Sequence, residues 1–112
     1  MNTAQAMQQQ DEFRNGVNVT ALRDTVSAVS RDSTLADFQF RASNTWLGGG
    51  HNRSSIQGFR ACGAEDQSRT GPFVMDADEP PVLLSRDAGA NPVEYVLHAL
   101  AACLTTTMAY HA

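Results

Sequence analysis

The segment "NPVEYVLHALAACLTTTMAYHA" (Asn91–Ala112) constrains the fold more than any other part of the chain. Asn91 can cap a helix through its side-chain oxygen. Pro92 suits the first helical position, and Glu94 at the third can reach back to the amide of Asn91. From Pro92 to Leu104 only Glu94 and His98 are strongly polar. Val93, Leu97, Leu100, Leu104 and Met108 form one face; Val96, Ala99 and Cys103 form another. A helix apolar all round belongs in the middle of a structure. Ala99, Ala101 and Ala102 would let another helix approach closely. The partner of this helix therefore lies outside the sequence or comes from a second chain.

The remainder supplies no adequate partner. Residues 1–17 are polar and Gln-rich, without periodicity, and read as a frayed tail. A short helix is expected from Val19 to Ser30, capped by Asn18, with one narrow stripe of Leu22, Val26 and Val29. From Asp37 to Leu47 the period falls to two. Phe38, Phe40, Ala42 and Trp46 alternate with Gln39, Arg41, Ser43 and Thr45, as in a half-buried strand. "GGGHN" is a turn signal, and "RSSIQGFRAC" reads as the returning strand, with a bulge near Gly58. "GAEDQSRTGP" reads as a loop, "FVMDA" as a third strand and "DEPPVLLSRDAGA" as an irregular connection. The expected fold is α+β: an N-terminal helix, a small antiparallel sheet of about three strands, and a buried C-terminal helix. One domain is expected over residues 18–112.

Charge narrows the functions. The net charge is −4, against the basic face that nucleic-acid binding usually needs. All eight basic residues are arginine, so Schiff-base and P-loop lysine chemistry are excluded. No run of eighteen apolar residues exists, so no membrane span is expected. The N-terminus lacks the basic and apolar regions of a secretory signal, which makes a cytoplasmic location the expectation.

Two cysteines are too few for a disulfide scaffold. Each is either a small buried apolar side chain or a reactive thiol. Cys103 lies more than three turns into its helix, where the field of the helix terminus has faded. Reactivity there requires a positive group from elsewhere. His98 is five residues away, about 140° round the helix, and reads as a partly buried histidine with one hydrogen bond. His111 stands nearer the right face. Arg53 is the foremost candidate, because a glycine-rich turn precedes it; its alternative reading is a solvated turn residue. His51, Cys62, His98, Cys103 and His111 lack paired zinc spacing. Asp76, Asp78 and Glu79 lack the calcium-loop pattern and read as a charged loop. "GGG" does not open a dinucleotide fingerprint. No metal or cofactor is expected.

"ANPVEYVLHALAACLTTTM", preceded by "DEPPVLL" and three predicted strands, resembles the OsmC/Ohr family of osmotically inducible and organic hydroperoxide resistance proteins. The shared features are the Asn91–Pro92 cap and the Ala101–Ala102–Cys103 sequence three turns in. "WLGGGHNRSSI" is similar, more loosely, to the first hairpin of that family. The resemblance spans roughly Phe38 to Ala112. It implies a thiol peroxidase reducing organic hydroperoxides at the expense of a thiol reductant. It further implies an intertwined homodimer with sites at the interface, Cys103 as the peroxidatic thiol and Arg53 as its partner. Three departures accompany it. The peroxidase branch has Glu directly after Asn-Pro, where this sequence has Val93. Its resolving cysteine lies further downstream, and Cys62 does not match it. The family's C-terminal half has no counterpart here, so the chain reads as the front portion of such a protein. The alternative is a non-catalytic module that oligomerises or binds an apolar ligand, with Cys103 as packing.

Overall fold

A computed structural model describes residues 10–112. Eight short strands and two helices follow in the order β1 (Phe13–Arg14), β2 (Val17–Asn18), α1 (Val19–Arg31), β3 (Gln39–Phe40), β4 (Ser43–Gly48), β5 (His51–Ile56), β6 (Phe59–Ala61), β7 (Ala64–Glu65), β8 (Phe73–Ala77) and α2 (Pro92–His111). Short 3₁₀ turns occupy Ser33–Ala36 and Pro81–Leu83. The architecture is α+β with small antiparallel sheets.

Local chemistry sets the helix starts. The Asn18 side chain accepts from the Ala21 amide at 2.9 Å. Asn91 accepts from the Glu94 amide at 2.8 Å, while Glu94 Oε1 accepts from the Asn91 amide at 3.0 Å, closing the expected capping box. Residues 1–9 of the expected tail lie outside the described residues. Its last part is ordered: β1 and β2 form a tight hairpin across Asn15–Gly16, both with positive φ.

The long strand expected over 37–47 is two strands in two sheets. β3 pairs with β6, which pairs with β7; β4 pairs with β5, which pairs with β8. The chain changes sheet at Arg41–Ala42 and again at Gln57–Gly58. Gly58 thus marks a switch between sheets, where a bulge was expected; the observed register shift falls between Trp46 and Gly48. Phe40 stacks on Phe59 at 5.3 Å between ring centroids. The Arg69 guanidinium lies over Phe59 and Phe73. The returning strand, expected to run to Cys62, ends at Ala61, and a hairpin turn follows at Cys62–Gly63, φ 52° and 80°, leading into β7 within the expected loop. Cys62 is therefore an exposed turn residue, not the end of a strand.

Asp78, at 1% exposure, is the only buried residue among those described, and no apolar side chain is buried. The Cα radius of gyration is 19.9 Å, where a compact chain of this length has about 13 Å. The accessible surface is 8770 Å², where a folded monomer of this mass exposes about 6,000 Å². Setting aside about 1,400 Å², the most the first nine residues can contribute, leaves an excess of about 1,300 Å². The expected burial of α2 is not met within one chain. Val93, Val96, Leu97, Leu100, Leu104 and Met108 are each 58–70% exposed.

Hydrogen bonds tie α2 to the rest of the chain near its two ends. Tyr95 Oη donates to the Asp76 carbonyl at 2.5 Å, and Asn15 Nδ2 donates to the Ala109 carbonyl at 3.3 Å. Gly89 makes the first junction possible. A Cβ there would collide with the Asp76 backbone, and the adjacent Ala90 bridges to Ala77.

Candidate functional site

Arg53 lies within β5, opposite Thr45 on β4 and Asp76 on β8. It is a strand residue; the turn itself is closed by Gly49–Gly50 and by Trp46, whose indole donates to the Gly49 carbonyl at 2.9 Å. The guanidinium donates twice to Asp76, Nε to Oδ1 at 2.6 Å and Nη2 to Oδ2 at 2.9 Å. His51 Nε2 lies 2.8 Å from Asp76 Oδ2. Strand periodicity explains this cluster: residues 51 and 53 share a face, and antiparallel register places Asp76 beside them. The Arg53 hydrogen bonds, then that of His51, hold the Asp76 carboxyl far below the usual carboxylate range. In return, Asp76 raises the Arg53 pKa.

Asp78, two residues on, anchors the connection to α2. It accepts from the Ser85 hydroxyl, from the Glu79 amide at 2.7 Å and from the Ala88 amide at 3.0 Å. These donors favour the ionised form, Ser85 foremost, and lower the Asp78 pKa to about 2. The stretch expected as a charged loop thus holds a strand residue that binds Arg53 and a buried carboxylate that organises a turn. Alternation of Asp76 and Asp78 was the available signal. Partners far away in sequence gave no local cue.

Cys103 is exposed in the middle of α2. It lies eight residues beyond Tyr95, about 12 Å along the axis. Its carbonyl accepts from the Thr107 hydroxyl at 2.8 Å. Arg53 is thus engaged on the sheet, and Cys103 stands on the helical span between the two anchored ends. His98 is exposed, where partial burial was expected. A cavity of about 340 Å³ lies against the opposite face of the sheet, between Asn52, Ser54, Ile56 and Met75 and the first turn of α2 at Pro92 and Tyr95. Register puts Arg53 and Asp76 on the face away from this cavity.

Among the described residues no group of three His, Cys, Asp or Glu is placed to hold a metal ion. No described helix is long and apolar enough to cross a membrane. No family model matches the chain, and no curated protein matches it.

Proposed function

We propose that this chain is an OsmC-like thiol-dependent peroxidase that acts as a homodimer and reduces organic hydroperoxides. The observation that carries this reading is the accessible Cys103 thiol on a helix whose apolar faces the chain leaves uncovered. A second copy laid against α2 would enclose that thiol in apolar surroundings suited to an organic peroxide. The Ala101–Ala102–Cys103 sequence behind the Asn91–Pro92 cap supports the same chemistry. Arg53 provides a permanently charged guanidinium on a sheet, and we assign it to the thiolate of the assembled site. For that role it must leave Asp76 or share it.

In the reaction, the Cys103 sulfur attacks the distal peroxide oxygen and the O–O bond breaks. The leaving alkoxide takes the thiol proton, giving an alcohol and a Cys103 sulfenic acid. Two equivalents of an external thiol then return the sulfenic acid to thiol, releasing water and a disulfide. Cys62, in an exposed turn of another sheet, is not assigned as the resolving thiol. One equivalent of an organic hydroperoxide is expected to yield a trappable sulfenic acid at Cys103 and no Cys62–Cys103 bridge by mass spectrometry. Cys103→Ser should abolish peroxide consumption. A linked Cys62–Cys103 peptide would overturn the assignment of Cys62, and an unmodified Cys103 would overturn the peroxidase.

A second reading is a non-catalytic module that oligomerises, or binds an apolar ligand, with Cys103 as a packing residue. The bidentate engagement of Arg53 by Asp76 favours it, because that pair satisfies the guanidinium without a thiolate.

A further inference from the structure

Among the described residues, Val82 and Leu84 are the most exposed of the large apolar side chains, at 84% and 95%. They do not hang from a slack loop. Pro80 and Pro81 fix the entry to a 3₁₀ turn, closed by Leu83 N to Pro80 O at 2.8 Å and Leu84 N to Pro81 O at 2.9 Å. Asp78 clamps the far side through Ser85 and Ala88, and the Asp87 amide donates to the Glu79 carbonyl at 3.0 Å. Leu84 itself is left-handed, at φ 67°. Glycine or asparagine occupies that region at far lower cost than a bulky aliphatic residue. A strained, braced and almost wholly solvated leucine therefore points to a use for its side chain.

We infer that Pro80–Leu84 is a preformed docking knob that seats Val82 and Leu84 in the apolar surface of a second copy of this chain. The inference rests on the proposed dimer. The second copy is the occupant because the excess surface, about 1,300 Å² or more per chain, exceeds the roughly 800 Å² that each partner contributes to a standard stable complex. Among the described residues, ten of the eighteen exposed large apolar side chains lie on α2 and on this loop, which ends shortly before α2 begins. A braced loop loses little freedom when it docks, so it contributes efficiently to association.

Leu84→Asn keeps the left-handed backbone accessible while removing the apolar side chain. It should raise the dimer dissociation constant at least about tenfold, with an unchanged far-ultraviolet circular dichroism spectrum. Val82→Ser should act in the same direction without touching the strained position. A benzophenone side chain at position 82, in a mixture of isotopically light and heavy chains, should give mixed-mass cross-linked peptides. Wild-type dimer with dissociation unaffected by both substitutions, or with only intrachain cross-links, would overturn the knob and leave the dimer standing. A wild-type chain that is monomeric throughout would overturn both.

Discussion

Leu100 sits centrally on the larger apolar face of α2 and is 58% exposed in the single chain. Fully burying a leucine side chain contributes roughly 1.5–3 kcal/mol. Covering the exposed 58% would therefore contribute about 0.9–1.7 kcal/mol per chain. In a twofold-symmetric dimer both copies lose this contribution together. Leu100→Ala should then weaken association by about 1.7–3.5 kcal/mol, or about 20- to 400-fold in the dissociation constant. Leu100→Asp should abolish the dimer, since it would place an unpaired charge in the interface. Sedimentation velocity from nanomolar to tens of micromolar chain reads the constant directly. Circular dichroism of the same samples reports whether the helix persists. A wild-type chain that is a folded monomer at low micromolar concentration would refute the reasoning. So would a Leu100→Ala dissociation constant within threefold of wild type.

If Arg53 serves the Cys103 thiolate, Arg53→Ala should slow iodoacetamide alkylation of Cys103 at pH 7 by about tenfold, and Asp76→Asn, by releasing the guanidinium, should speed it. Equal rates in all three proteins would remove Arg53 from the site. Asp78 titrates near 2 when folded and near about 3.9 when unfolded. Its depressed pKa contributes stability that is complete above the unfolded value and is lost as pH falls from about 4 towards 2. Acid titration of the folded chain should show that loss, and Asp78→Asn should flatten it. Gly89→Ala should detach the start of α2 from β8, because the added methyl would occupy the space of the Asp76 backbone; loss of amide-exchange protection at Asp78, whose amide donates to the Ala90 carbonyl at 3.2 Å, is the expected readout, and retained protection would contradict the close approach.

The elements most legible in the sequence were those specified by adjacent residues. The Asn91–Pro92–Glu94 cap, the Asn18 cap and the strand "FVMDA" appear at their expected positions, Phe73–Ala77 included. The division of residues 37–47 between two sheets was not legible. Alternation reports which face a residue takes but not which sheet receives it, and the break at Arg41–Ala42 carries no glycine or proline. The hairpin before α1 was missed although Asn15–Gly16 is a strong turn signal, because only two residues pair on each side. Arg53 stood out in the sequence, but His51 and Asp76 did not; Asp76 meets Arg53 and His51 only by pairing across 23 and 25 residues. The uncovered α2 was legible in kind, since the chain offers no second apolar element of comparable breadth.

Strand β4 forms one edge of its sheet. Its residues, "SNTWLG", include neither lysine nor proline, and Trp46 is 73% exposed. Natural sheets usually blunt such edges with charge, proline or cover. An edge without these features hydrogen-bonds to whichever extended backbone reaches it first. At high expression β4 should therefore pair with incomplete or unfolded copies and the chain should precipitate, whereas slower synthesis should lessen that pairing. Recovery of this protein in solution should accordingly follow its rate of production more closely than its intrinsic stability.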